Sequence, residues 1–334
     1  TDEAEELPES VEALVATRID RLAPGDRALL RWASVLGVSF SGTLIRDVLE
    51  DDPLVAAASE AWDRLGEFVE RDPDVPGAFR FRHALIRDAA YEGLSYKRRR
   101  ELHSRVAEVL ERSAGDRPEE AAELLSLHYF NAGRWAEAWQ YSRLAGDLAR
   151  EVYANVDAAR FYERALEASR HIKDLEADEV ASTWRALGEV RDAAGAYRGA
   201  LDAFRSAVKL LQHEPVAQAE IYAARAVARS RLGSYREALR ETTAGLDRVT
   251  SLDTPGAKRA ASSLLSLRAQ VHLFQDRPRD AIAIATKVVS EAEALGPSMA
   301  LARAYSVLEG GYLDIGEHDN AVYEERALEI LREI

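Results

Sequence analysis

Gly195-Ala-Tyr197-Arg-Gly-Ala200 reads as a tight turn running straight into a helix, and the same reading recurs along the chain. Gly133-Arg-Trp135-Ala-Glu-Ala138 stands upstream and Gly233-Ser-Tyr235-Arg-Glu-Ala238 downstream. Asp276-Arg-Pro278-Arg-Asp-Ala281 and Gly316-Glu-His318-Asp-Asn-Ala321 follow, and a weaker copy, Tyr153-Ala-Asn155-Val-Asp-Ala158, lies between the Gly133 and Gly195 copies. The closing alanines Ala158, Ala200, Ala238, Ala281 and Ala321 fall 42, 38, 43 and 40 residues apart. A near-constant period of this size marks a solenoid of stacked helix pairs. Such a rod presents surface to a partner, so the pattern points to recognition rather than chemistry.

The six residues have a physical logic. Gly ends the first helix in the left-handed conformation that a Cβ penalises. The aromatic or Pro two positions on covers the turn and starts the second helix. Ala marks the place where the second helix crosses the first closely. From Trp184 the spacing resembles a tetratricopeptide repeat, with Trp184, Leu187 and Gly188 followed by Ala200, Phe204 and Ala207. Later copies resemble that family with substitutions. Ala226 and Ala269 replace the small Gly, and Tyr222, Leu265 and Tyr305 replace the Trp. Glu309, beside Gly310 and Gly311, takes the small-residue position of the last copy. The family period is about 34 residues, so longer helices are expected, as in the repeat arrays of large bacterial signalling ATPases.

Composition fits an all-helical cytoplasmic protein. The 334 residues suffice for two domains or one long solenoid, and 47% are hydrophobic with only 10 Pro. There is no Cys, which excludes a disulfide framework and thiolate metal sites. No apolar run approaches the ~20 residues needed to span a bilayer, and no signal-peptide pattern is present. The net charge of −14 opposes binding to nucleic acid or an anionic membrane. The chain begins at Thr1 with the acidic stretch TDEAEELPES, as expected of a piece of something longer.

Up to about Arg112 the repeat pattern is absent. Glu9 to Leu22 reads as an amphipathic helix carrying Val11, Leu14, Val15, Ile19 and Leu22, ended by Pro24-Gly25. Asp26 is expected to cap a second helix, Ser41 a short third, and a fourth runs from about Leu54 to Phe68. Phe68-Val-Glu70 and Phe79-Arg-Phe-Arg82 then alternate with period two around a turn-rich Asp72 to Gly77. Helices followed by a small hairpin is the order of a winged helix. Two more helices, about His83 to Gly93 and Lys97 to Leu110, lead into the repeats. The expected organisation is a leading helix (1–23), a winged-helix-like domain (24–93), connecting helices (94–132) and a mainly α tetratricopeptide superhelix (133–334).

LPESVEALVATRIDRLAPGDRALLRWASVLGVSF (Leu7 to Phe40) and FRFRHALIRDAAYEGLSYKRRRELHSRVAEVLE (Phe79 to Glu111) are similar to segments after the ATPase core in a family of bacterial multidomain proteins. That family joins a signal-transduction ATPase to tetratricopeptide arrays. One branch adds a class III adenylate/guanylate cyclase domain, another a LuxR-type DNA-binding domain. The resemblance implies that ATP is bound by an upstream ATPase domain and that this segment carries no cofactor of its own. It also implies a winged helix that packs on the nucleotide-binding core.

No catalytic constellation is legible: there is no Gly-x-x-x-x-Gly-Lys-Ser/Thr loop, no Gly-x-Ser-x-Gly and no His-Glu-x-x-His. Asp314, Glu317, His318 and Asp319 sit on an inter-helix turn, where capping and solvation explain them, and no metal is expected. The helix that would enter a DNA groove carries Glu60, Asp63 and Glu67 against Arg64, so duplex DNA is not an expected partner. His83 directly follows the second hairpin strand; the resemblance implies a phosphate-sensing role, while a helix-start His bonded to local backbone is the plainer reading. Lys97-Arg98-Arg99-Arg100 opposes the dipole of the helix it starts, which suggests an anionic neighbour, although a solvated face is the simpler account.

Aligning the closing alanines assigns a groove face: Arg185, Glu189, Asp192, Ala223, Val227, Ser266, Gln270, Leu273, Ser306 and Leu313. The Lys/Asn set with which some tetratricopeptide domains hold a C-terminal carboxylate is missing. Helix or peptide recognition in the groove and self-association remain. The expectation is a non-catalytic regulatory segment that relays partner or ligand binding to an upstream ATPase and, in the cyclase branch of the family, to a class III nucleotide cyclase. A sensor segment of a LuxR-type activator and a plain scaffold are the alternatives.

Overall fold

Gly133, Gly195, Gly233 and Gly316 stand at φ of 70°, 78°, 70° and 86°, and the two non-glycine turn residues, Tyr153 and Asp276, at 59° and 57°. Each turn closes with the same hydrogen bond, from the N–H one residue past the left-handed position to a carbonyl five residues back. Examples are Arg134 N–H to Tyr129 O at 3.0 Å, Ala196 N–H to Arg191 O at 2.8 Å and Arg277 N–H to His272 O at 3.0 Å. This is the Schellman arrangement, which satisfies carbonyls that a helix end leaves orphaned. The six sequence copies are therefore six equivalent helix-to-helix turns.

The computed structural model describes residues 11–49, 58–317 and 321–334. The chain divides into two compact units, 1–145 and 146–334. The first contains α1 (Val11–Asp20), α2 (Pro24–Ala33), β1 (Ser39–Ser41), α3 (Gly42–Val48), α4 (Ala58–Arg64), β2 (Val69–Arg71) and β3 (Ala78–Phe81). It continues with α5 (Ala84–Glu92), α6 (Tyr96–Ala114), α7 (Ala122–Ala132) and the first part of α8 (Trp135–Glu151). The strands form an antiparallel sheet in the order β1-β3-β2, with Phe40 opposite Phe79 and Val69 opposite Phe81. Phe40, Trp62, Phe79 and Phe81 pack ring against ring, two pairs stacked and two tilted, at centroid distances of 5.1 to 6.0 Å. Leu29, Leu30, Leu49 and Leu65, each exposed by 1% or less, complete this core.

Two local expectations need correction. Pro24-Gly25 does not end α1 but opens α2, with Pro at the first turn, where its missing N–H costs nothing. Asp26 does not cap α2; its carboxylate receives Arg64, with Nη2 to Oδ1 at 2.6 Å. Ser41 does cap α3, accepting from the N–H groups of Thr43 and Leu44. β1 had no period-two signal because three residues are too few to show one, and positions 54–57 of the expected fourth helix lie outside the described residues.

In the second unit follow α9 (Asn155–Ser169), α10 (Ala177–Ala193), α11 (Tyr197–Leu210), α12 (Pro215–Arg231) and α13 (Tyr235–Val249). α14 (Pro255–Phe274), α15 (Pro278–Ala292), α16 (Met299–Asp314) and α17 (Ala321–Glu333) complete it. Ala158, Ala200, Ala238 and Ala281 are fully buried, as the close-crossing argument requires. Ala321 is exposed, which corrects the last copy: α17 buries Ala327 and Ile330 instead. Gly146 of α8 meets the Tyr162 ring of α9, where a Cβ would come within 2.7 Å, and Gly188 meets Phe204 in the same way at 2.4 Å. The spacing of 16 residues is the same in both pairs, so α8–α9 is itself a repeat, with Gly146 in the small position and Tyr162 in the aromatic one.

Candidate interaction surface

The side chains that link consecutive first helices of the array form a ladder. Arg150 of α8 reaches Glu189 of α10 at 3.5 Å. Arg185 of α10 bonds Glu189 at 2.9 Å and Glu220 of α12 at 2.7 Å. Arg231 of α12 pairs with Asp192 of α10. Burial disfavours the charge on Arg185, but its two carboxylate partners outweigh this and raise its pKa above the ordinary arginine value. Asp192 moves the other way: burial raises it and Arg231 only partly compensates, while its Oδ1 is buried without a partner. Of the predicted groove residues, Arg185 and Glu189 thus share one charge network, and Asp192 forms a separate pair with Arg231.

The remaining predicted positions separate by burial. Ser266 is fully buried and Ala223 nearly so, at 0% and 8% exposure. Val227, Gln270 and Leu273 are half-buried, whereas Ser306 and Leu313 are exposed. Arg303 of α16, which sequence reasoning did not single out, donates from Nη1 to Ser266 Oγ at 3.1 Å.

A second polar cluster also went unforeseen. Arg225 of α12 donates to Glu241 of α13 at 2.8 Å, with Arg229 at 3.9 Å from the same oxygen. Arg268 of α14 is held by the hydroxyls of Thr242 and Thr243 at 3.1 and 2.8 Å. The signal was in the repeat alignment. Arg225 and Arg268 stand where the first close copy has Leu187, and Thr242 stands where it has Phe204. Two polar changes facing one another mark a polar layer in place of an apolar one.

In the first unit, His83 precedes α5 and is exposed, and its side chain makes no cap hydrogen bond. The arginines of the basic run answer to helix ends. Arg99 donates to Glu92 O and Leu94 O, where α5 finishes, at 2.9 and 3.0 Å. Arg100 donates to Ala132 O at the end of α7 at 2.8 Å. Arg98 stacks over Trp32 and bonds Glu101 at 3.1 Å, while Lys97 stays largely in solvent beside Glu101. The helix dipole that these cations oppose in α6 is offset by the carbonyl ends of two other helices, which they favour. Arg64 of α4 is held by Asp26, and the side chain of Glu60 lies outside the described residues.

Beneath this surface Tyr91 Oη bonds His103 Nε2 at 3.0 Å, and His103 Nδ1 faces His128 Nδ1 at 2.9 Å. Burial, then the neighbouring His128 and the cations of Arg87 and Arg99, push His103 down to about 3; burial alone pushes His128 to about 4. Both imidazoles are therefore neutral at pH 7. Glu111 accepts from Tyr129 and Tyr141, each at 2.5 Å, and these bonds hold its carboxyl below the ordinary glutamate value. Among the described residues no group of three His, Asp or Glu is placed to hold a metal ion, and His318 and Asp319 lie outside them. No described helix is long and apolar enough to cross a membrane.

No family model matches the chain. An uncharacterized protein of Rhizobium meliloti (strain 1021) is 30% identical over 173 residues, and the match spans 51% of this chain and only 16% of that protein. Aspartyl phosphate phosphatase F from Bacillus subtilis superposes with a TM-score of 0.52 at 14% identity, over 98% of this chain and 76% of its own. A signal-transduction ATPase with numerous domains and a tetratricopeptide repeat sensor, from Pyrococcus horikoshii, gives 0.42 at 15% identity, over 98% and 47%. The Bacillus likeness shows a shared fold: a mainly helical chain of tetratricopeptide-like helix pairs.

Proposed function

We propose that this chain is the sensor and relay segment of a multidomain bacterial signalling ATPase, in which the repeat array binds a protein or peptide and a winged-helix domain passes that event to the ATPase. The observation that carries the proposal is the order of the first unit. α2, β1, α3, α4, β2 and β3 follow one another along the chain and the strands pair in the order β1-β3-β2, which supports a winged-helix reading, and helix pairs follow after α5. The resemblance of Leu7 to Phe40 and Phe79 to Glu111 to segments behind an ATPase core supports the same reading. A solenoid of helix pairs is a binding surface rather than a reaction vessel.

His83 is the residue through which the winged helix would meet nucleotide. It is exposed, next to β3, and free of a capping role that would explain it structurally. The test is ATP turnover by the full-length protein. His83→Ala is expected to change turnover or nucleotide affinity while the melting temperature of the 334-residue segment stays the same. Unaltered turnover with a lowered melting temperature would assign His83 to stability alone. An upstream region without ATPase activity would remove the reading altogether.

A further inference from the structure

The ladder of first helices runs out of carboxylates at its last rung. Arg150, Arg185 and Arg231 each meet Asp or Glu on a neighbouring first helix, whereas Arg303 meets only the hydroxyl of Ser266. Arg303 is half-buried, and among the described residues no carboxylate lies within salt-bridge distance of it. Burial lowers its pKa, and no neighbouring anion counteracts the effect. A guanidinium carries five donors in a fixed fork, so one bond to a serine leaves most of its recognition capacity unused.

The facing helix α14 shares this bias, although α16 itself carries Glu309 and ends at Asp314. In a chain of net charge −14, α14 spans Pro255–Phe274 with Lys258, Arg259, Arg268 and His272 and without a single Asp or Glu. Gln270, one turn beyond Ser266 on the same face, is half-buried and its amide makes no hydrogen bond to the described residues. Further along the two helices, Leu273 is partly buried and Leu313 is 54% exposed, which adds apolar surface beside the polar donors.

We infer that the α14–α16 face is a subsite for a carboxylate side chain of an acidic peptide, with Arg303 as the charged donor and Gln270 as the neutral one. The inference deepens the proposed function and rests on its reading of the array as a peptide-binding surface. Charge complementarity selects the occupant. The site offers one cation and one amide donor, a set that matches a single carboxylate rather than the row of phosphates of an extended nucleic acid, which needs many cations.

The test is fluorescence anisotropy of the intact 334-residue chain with labelled decaglutamate, decaglutamine and a single-stranded oligonucleotide at low salt. Decaglutamate is expected to bind saturably and to weaken as salt rises. Arg303→Gln should cost at least about tenfold in affinity. Gln270→Glu, which keeps Arg303 but supplies an internal carboxylate, should cost as much and covers the case in which Arg303→Gln fails to fold. Arg205→Gln, at an exposed position of α11 already paired with Asp202, should change affinity less than twofold. Equal binding of decaglutamine, indifference to both substitutions, or tighter binding of the oligonucleotide would overturn the inference. Retained binding of neutral peptides to the array would then leave the proposed function standing.

Discussion

The ring of Phe204 fills the space that a Cβ on Gly188 would need, at 2.4 Å from its Cε1. Both residues are buried, so neither has room to yield. Gly188→Ala is expected to destabilise the second unit by about 1–3 kcal/mol through overpacking. Gly256→Ala, whose Cβ would meet only Val216 Cγ1 at an ordinary 3.6 Å, should cost nothing. Urea midpoints of the two variants compare them directly, and equal midpoints would contradict the packing argument.

The alanines that close the repeat signature should tolerate enlargement very unequally. Ala200 and Ala238 are fully buried, whereas Ala283 of α15 and Ala321 of α17 are exposed. Leucine at either buried position must separate two helices or adopt a strained rotamer, at about 1–3 kcal/mol. Leucine at position 283 or 321 should leave the melting temperature within a degree or two of the parent.

Left-handed backbone at a residue with a Cβ costs roughly 1–2 kcal/mol. Tyr153 and Asp276 bear that cost at turns where the other copies place Gly. Asp276→Gly and Tyr153→Gly are therefore expected to stabilise by about 0.5–1 kcal/mol, the relief of strain exceeding the added freedom of the unfolded chain. Thermal melts of both variants test this, and a loss of stability in both would count against it.

The buried imidazoles make the first unit sensitive to acid. His103 and His128 have native pKa values depressed to about 3 and about 4 from an ordinary 6.5, so below pH 6.5 the unfolded chain binds protons that the native one refuses. Their stabilisation is fully present above pH 6.5 and declines as pH falls toward 4, by up to about 2 kcal/mol per imidazole at pH 5. Denaturant titrations between pH 7 and 5 should show this slope. His128→Gln should flatten it, and an unchanged slope would place the acid sensitivity elsewhere.

The array was legible because its signals are local. A left-handed turn, an aromatic or Pro two residues later and an Ala three beyond that need no knowledge of distant contacts, and all six turns form where the pattern stands. The α8–α9 pair was read as a weak copy because Tyr153 replaces Gly, although Gly146 and Tyr162 hold the spacing of Gly188 and Phe204. The basic run at the start of α6 was harder. The partners of Arg99 and Arg100 are backbone carbonyls of other helices, and a carbonyl has no sequence identity to read. Arg303 escaped for a related reason: what sets it apart is a missing carboxylate across the gap to α14.

Length variation has a definite address in this array. Every turn inside a pair is held to the same Schellman geometry, whereas the connections between pairs, at 170–176, 211–214, 250–254 and 293–298, differ in extent. First helices vary as well, from 16 residues in α16 to 20 in α14, while the second helices α9, α11, α13 and α15 stay at 14 or 15. An insertion inside a pair would rotate one helix against its mate and lose the alanine crossing. An insertion between pairs would only lengthen a tether. Gene duplication, circular permutation and grafting of single pairs therefore have their natural cutting points at those four connections.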